Sequence, residues 1–426
     1  MGTLVKFELK KMLGNKAGMA ACVLMLTMLV AVAVLNLVTT ESTDLETGAY
    51  VSGYEALSAY RAIQESHAGT LDDERITRDV ATFERAQRLT QEKQEFYDLS
   101  SREIIDRYGL QFWRETKAIV EQDYYMEIVG TLDSASPRAT SLREGAMARL
   151  NDVLENGFWG YHHYTNAEKT YWQSLAEKIS WPVEYGYDGG WHYVLSWRGG
   201  LGLAIVALCI ELSGVFVGEY QSRTASVVLP TRRGKRELPI AKVLAAFVFT
   251  TAYWCALTVT IVAIHLVIYG VDGWNLPLQV ALGFDNPYPM TVGQAMLTSY
   301  ALGYVVSLGM AALTLLLSAK LRSTMPVAVI TMAIVFLGIV TLFSTPLAKV
   351  ALLTPFSGLS YAFDSMVSHT VGPVVIGLPT MLALLYGAMV ATLVPLATRQ
   401  WGRTRGTGTF VRVPRTNVPV PLVPVE

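Results

Sequence analysis

The sequence predicts an all-α membrane protein, six transmembrane helices with a large, mostly helical extracytoplasmic insert between helices 1 and 2. Three observations carry that prediction. Of the 426 residues, 52% are hydrophobic and 16% charged, where a soluble chain carries about 25% charged residues. The charges are gathered, so that long stretches hold none while others are dense with them. Lysine and arginine recur in every second short connection between the apolar stretches, the asymmetry by which multi-pass chains orient themselves.

A bilayer core about 30 Å thick takes roughly 20 apolar residues to cross as a helix. Residues 17–38 meet this without a charge. Their apolar run is longer than a signal-peptide core and no small-residue cleavage motif follows, so they read as a retained helix. Residues 199–217 carry one charge, Glu211, and residues 243–268 one histidine, His265. Residues 295–317, 326–342 and 374–397 carry no charge; the first of these is rich in Gly, Ser and Thr, and the second is short. The three cysteines, Cys22, Cys209 and Cys255, fall in these apolar runs and read as small buried residues.

Lys6, Lys10, Lys11 and Lys16 precede the first span, and Arg223, Arg232, Arg233, Lys235, Arg236 and Lys242 separate the second from the third. Lys320 and Arg322 separate the fourth from the fifth, and Arg399, Arg403, Arg405, Arg412 and Arg415 follow the sixth. The intervening connections, 270–294 and 346–372, hold only Lys349. All basic segments therefore belong on the cytoplasmic side of a cell membrane. Both termini are expected in the cytoplasm and residues 40–195 outside. The organisation that follows is an interfacial helix over 1–16, a first span over 17–38, an extracytoplasmic domain over 39–197, spans two to six over 198–398 and a cytoplasmic tail over 399–426.

The insert is acidic, with 27 Asp and Glu against 15 Lys and Arg over residues 41–197. That balance suits either a solvated helix surface or capture of cationic material. Ile76, Val80 and Phe83 follow helical spacing, with Phe96 and Leu99 in kind. Thr70-Leu71-Asp72-Asp73 reads as a helix start with acids in the first turn. Ser134-Ala135-Ser136-Pro137 reads as a break, and Ser141 with Glu144 as a capping box. Residues 157–197 are aromatic, including Phe158, Trp159, Tyr161, Trp172, Trp191 and Trp197. The last of these, from Trp191 to Trp197, suit a membrane–water boundary; the others belong to the insert's core or to a ligand surface. His162 and His163 are adjacent, and adjacent helix residues diverge, so no metal site is read from them.

Net charge is −1, which gives no reason to expect a nucleic-acid partner. No G-x-S-x-G, H-E-x-x-H or C-x-x-C pattern occurs, and no G-x-x-x-x-G-K-[ST] phosphate loop, so no catalytic residue is assigned.

The connection after span two runs Gly218-Glu219-Tyr220-Gln221-Ser222-Arg223-Thr224-Ala225-Ser226-Val227-Val228-Leu229-Pro230-Thr231-Arg232-Arg233, and closes on Lys242. An acid ends the helix, then come a short amphipathic turn, a proline, a basic cluster and a lysine. This resembles the permease subunits of type-2 ATP-binding-cassette exporters. Leu4-Val5-Lys6-Phe7-Glu8-Leu9-Lys10-Lys11 is similar to the interfacial helix of that family, with Leu4, Phe7 and Met12 facing lipid. Leu352-Leu353-Thr354-Pro355-Phe356 is similar to its outer connection between spans five and six. The resemblance covers everything but the insert. It implies a cytoplasmic coupling loop, 218–242, in which Glu219, Arg223, Thr224, Pro230, Thr231, Arg232, Arg233 and Lys242 serve docking to a separate ATPase chain. It also implies that ATP and Mg are bound by that partner, with no cofactor in this chain, and that a second permease copy, identical or not, completes the path.

Glu211 is the one carboxylate inside a span and is a candidate for the pathway or gate. His265, near the outer end of span three, reads as interfacial. Ser299, Gly303, Ser307 and Ala311 form a small-residue row on span four, a packing face within the subunit or at a dimer seam. Two other function classes stay open: an extracytoplasmic ligand receptor or scaffold anchored by the bundle, and an ion-coupled carrier that needs polar groups at the midplane.

Overall fold

The computed structural model describes residues 1–92, 99–157, 163–341 and 347–403. Phe96, Phe158, Trp159, Tyr161, His162, Leu342 and the tail with Arg405, Arg412 and Arg415 lie outside the described residues.

Among the described residues five helices are long and apolar enough to cross a membrane: Lys16–Thr39, Arg198–Gln221, Arg233–Tyr269, Val292–Lys320 and Leu378–Trp401. A shorter apolar helix, Thr324–Ile339, stands where the fifth of six spans is expected. The chain is mostly helical and reads as a multi-pass membrane protein. Burial ranks the helices: 72% of the apolar window of Arg198–Gln221 and 61% of that of Val292–Lys320 lie inside the chain, against 22% for the first and 17% for the last. The second and fourth spans are the centre, and the peripheral ones turn side chains such as Leu24, Leu35, Val259 and Leu384 outward. Cys255 is among the outward-facing residues, against the expectation that all three cysteines are buried.

The centre packs closely because span four is built of small residues. Ser299, Gly303, Ser307 and Ala311 are all buried. A Cβ on Gly303 would lie 2.6 Å from Trp254 of span three and 3.4 Å from Leu201 of span two. The row is therefore used within the chain and not at a dimer seam.

Three boundaries differ from the sequence reading. The helix that carries the third span begins well before Val243; it runs from Arg232 to Tyr269, capped by Thr231, whose side chain accepts from the Gly234 N–H. Its 38 residues are about 57 Å long at 1.5 Å per residue, so the basic cluster is a helical extension of the span. Span two is interrupted at Ser213, between helices Arg198–Leu212 and Gly214–Gln221. Ser318 of span four fills the gap: its Oγ accepts from the N–H of Phe216 (3.0 Å) and of Val217 (3.2 Å) and donates to the Ser213 carbonyl (2.8 Å). Backbone groups freed inside a bundle need such a partner. The helix expected as the sixth span begins at Leu378, because residues 374–377 are a strand paired with Ser368–Val371 around a turn at Gly372, φ 61. Val374, Val375 and Ile376 are β-branched and follow Gly-Pro, which favours a hairpin over a helix, whereas hydropathy alone joins them to the span.

The segment between the first two spans is a helical body with two small antiparallel ribbons, Glu41–Thr43 with Tyr50–Ser52 and Gly69–Thr70 with Glu184–Tyr185. The helix start at 72–73 is present, with Asp72 as cap, accepting from the Arg75 N–H. The break at 134–137 separates helices Asp123–Leu132 and Leu142–Asn156. Ser141 caps the latter, but Glu144 reaches back to the N–H of Thr140 and not to that of Ser141, so the reciprocal box is incomplete. The body has its own core around Ile76, Phe83, Tyr125, Ile128 and Leu142.

It sits on the bundle through the connections 270–291 and 347–377. Trp191 donates from Nε1 to the Val271 carbonyl (2.8 Å) and stacks edge-on against Trp274. Trp197 donates to His265 Nε2 (2.9 Å), while His265 Nδ1 meets the Ile261 carbonyl (2.7 Å). Trp191 and Trp197 thus tie this segment to the bundle from within the protein, and His265 is 1% exposed. An indole donates only and a carbonyl accepts only, so both ring nitrogens are committed by one neutral tautomer.

Candidate functional site

The opposite end of the bundle gathers the N-terminal helix Gly2–Leu13, the end of span two, the connection 222–231 and the start of the 38-residue helix. At their junction stands Lys242, wholly buried. Its ammonium is 2.6 Å from Glu8 Oε2 and 2.9 Å from Glu219 Oε1. Glu219 also accepts from Lys11 and from the Thr224 hydroxyl. Two lysines face two glutamates, so the cluster is neutral; Glu8 and Lys11 come from the N-terminal helix, Glu219 from the end of span two, Lys242 from the long helix and Thr224 from the connection between them. Removing ions from water is costly unless each is paired and hydrogen-bonded; here the pairing welds four segments into one body.

The eight residues assigned to partner docking divide accordingly. Glu219 and Lys242 point inward and belong to the weld. Thr224 is exposed, with its hydroxyl turned to Glu219. Arg223, Pro230, Thr231 and Arg233 are exposed, and Arg232 opens the long helix. Arg223 is the one non-glycine residue of positive φ, at 58, among the described residues. That conformation is disfavoured for side chains with a Cβ; it turns the chain from span two into the short helix Ala225–Val228. This helix buries Ala225, and Leu229 just after it, against the bundle and leaves Val227 74% exposed. Trp401, near the end of the last helix, ties span two to the long helix beside it, packing on Phe216 and Tyr220 and donating to the Gly234 carbonyl (3.0 Å).

Glu211 lies two turns before Glu219, above the break at Ser213. Its Oε2 accepts from Asn15 Nδ2 (2.9 Å), and its Oε1 is buried without a hydrogen-bond partner. A Cβ on Gly18 would fall 1.8 Å from Glu211 Oε2, so only glycine lets span one approach here. The carboxylate lines a cavity of about 370 Å³ between the N-terminal helix and spans two and five, shared with Lys11, Asn15, Gly214 and Met325. Such a site can hold a proton or a small cation on Glu211, or a polar headgroup against Lys11.

Sequence reasoning missed Glu8, Asn15, Ser318 and Trp401. A signal existed for the first: Glu8 is the sole acid in the first 40 residues, set among lysines. Met12, expected to face lipid, is buried in the bundle, while Phe7 stays 63% exposed. No group of three or more His, Cys, Asp or Glu suited to a metal occurs among the described residues. Comparisons with protein-family models, curated proteins and solved structures find no match.

Proposed function

We propose that this chain is the membrane-spanning permease subunit of an ATP-driven exporter, worked by a separate ATP-binding-cassette ATPase on the cytoplasmic side. The observation that carries the reading is the short helix Ala225–Val228 with Arg223 just before it, a stretch that exposes Arg223 and Val227 yet is fixed through Thr224, Glu219 and Lys242 to two membrane helices. A partner that moves this helix moves spans two and three with it, because the joint is a buried ionic weld and not a flexible loop. The exposed first turns of the 38-residue helix widen the docking face with Arg233, Lys235 and Arg236. In this reading six helices cross the cell membrane, both termini are cytoplasmic and the helical body lies outside. The ATPase holds ATP and Mg, and a second permease copy completes the path.

Affinity purification of the tagged full chain, followed by identification of what comes with it, is expected to return an ATPase chain. Replacing residues 222–231 with a Gly/Ser linker is expected to abolish that capture and substrate-stimulated ATP hydrolysis. An intact complex after the replacement sinks the reading.

An ion-coupled carrier is the second reading, favoured by the unpartnered Glu211 oxygen. It requires transport driven by an ion gradient without ATP and lost in Glu211→Gln.

A further inference from the structure

The segment between the first two spans has an excess of acids over bases. A cavity of about 490 Å³ opens where that body meets the connection 279–285. A second, of about 220 Å³, adjoins it across a wall that includes Tyr60, Asp123, Tyr124 and Tyr185. The larger volume falls within the roughly 300–1,000 Å³ of small-molecule sites.

Charges around it do not cancel. Asp123, Glu127, Asp188 and Asp285 line the cavity, with Arg149 and His192 as the basic residues. Arg149 is already engaged, its Nη1 3.3 Å from Glu127 and its Nε 3.6 Å from Asp285. Asp123 is exposed and has no ion pair among the described residues. Asp188 is 4% exposed, and its Oδ2 has no hydrogen-bond partner. The nearest basic atom is His192 Nδ1 at 3.7 Å, beyond hydrogen-bond range. A carboxylate oxygen taken out of water without a donor is unfavourable, and the chain packs closely around this one: a Cβ on Gly273 would lie 2.5 Å from the Asp188 Cα. The adjacent Tyr187 hydroxyl donates to the Tyr269 carbonyl at the end of span three (2.8 Å). Asp188 is thus held rigidly at the base of the cavity, where the body meets spans two and three.

We propose that this cleft is a binding site for a small organic ammonium, with the charged nitrogen on Asp188 and Asp123 and its apolar stem against Tyr60 and Tyr185. An ammonium supplies the donors that Asp188 Oδ2 lacks, and tyrosine rings favour a neighbouring cation. Tyr124 sets the geometry of the wall; its ring is stacked on His67 at 4.1 Å and meets Tyr185 edge-on at 4.9 Å. The site stands apart from the exporter reading, since no ATPase contact enters the argument.

Titration calorimetry on the full chain in nanodiscs tests it, with tyramine and spermidine as probes. Their neutral and anionic counterparts, N-acetyltyramine and 3-(4-hydroxyphenyl)propionate, are the controls. The amines are expected to bind and the controls not. Asp188→Asn, an isosteric change, is expected to weaken amine binding at least tenfold at an unchanged unfolding temperature. Asp123→Asn, on the exposed rim, weakens it severalfold and serves if the first variant does not fold. The proposal is overturned if neither amine binds at about 1 mM, if N-acetyltyramine matches tyramine, or if folded Asp188→Asn binds as the parent does.

Discussion

Each end of the bundle is closed by a buried charge that joins segments distant in sequence, but the two hubs are built in opposite senses. At the basic end a lysine, Lys242, stands between the carboxylates of Glu8 and Glu219 and is wholly buried. At the other end a carboxylate, Glu168, accepts from Lys349 (2.7 Å) and Ser368 (3.1 Å) while capping its own helix through Thr165. Lys349 is about one-third exposed, so water and salt reach that pair. In the first hub the exposed cation is the outer one, Lys11 at 44%, while the central Lys242 is sealed; in the second the partly exposed lysine is the one that meets the carboxylate. The difference suits the exporter proposed above, in which the first passes displacement between helices and the second only seats a helical body on the hairpin before the last helix.

The largest expected effect follows from breaking the closed hub. Lys242→Met leaves Glu8 without its ammonium and Glu219 with Lys11 alone. It is expected to destabilise the chain by about 3–5 kcal/mol, the range for a buried pair that loses one partner. Adding Glu8→Gln and Glu219→Leu removes the stranded charges and is expected to recover most of that loss. Unfolding midpoints in detergent read both. If the single change costs no more than a surface substitution, the hub is not the weld described here.

Ser318→Ala sharpens the comparison, because it empties a neutral hub in the same half of the molecule. The N–H groups of Phe216 and Val217 lose their acceptor, at about 1–3 kcal/mol for buried groups left unpaired. An effect close to that of Lys242→Met would mean that burial, and not charge, sets the cost at this end.

These hubs also mark how far the sequence could be read. Apolar runs of bilayer length stand out without any partner, and so does Asp72 as a cap, because its consequences lie within one turn. Lys242 was visible only as a cation at a span's edge, since Glu8 lies 234 residues away and nothing local couples them. Ser318 looks like one more small residue until the break at Ser213 supplies its partners. Hydropathy merged Val374–Gly377 with the last span because it scores polarity and ignores β-branching. Of the residues expected to dock a partner, the motif gave the stretch but not which side chains turn inward, a property decided by packing against the N-terminal helix.

Glu168→Gln tests the open hub. Burial pushes the Glu168 carboxyl up, but Lys349 and the backbone N–H and hydroxyl of Thr165 outweigh it and hold the carboxyl at about 2, against an ordinary 4.5. A folded value below the unfolded one means that the contribution is complete above about pH 4.5 and is lost as the pH falls toward 2. At neutral pH the variant is expected to lose about 1–2 kcal/mol, reduced by the exposure of Lys349. The gap between parent and variant should close at acid pH, whereas the gap for Lys242→Met should remain wide at neutral pH and at high salt. Melting curves at pH 7 and pH 3, each in low and high salt, separate the two.

The smallest stability effect belongs to Val227→Asp, and it is the sharpest on function. Val227 is 74% exposed, and surface substitutions of this kind usually stay within about 0.5 kcal/mol. The unfolding midpoint should therefore not move, and the buried face made by Ala225 and Leu229 keeps the short helix seated. A docking cleft that receives an apolar side chain rejects a carboxylate, so capture of the ATPase should fall at least tenfold. Val227→Leu should retain it. Loss of capture without loss of stability would place the contact on the exposed face of the welded unit, while equal capture by both variants would move the docking surface to Arg233, Lys235 and Arg236 on the helical extension.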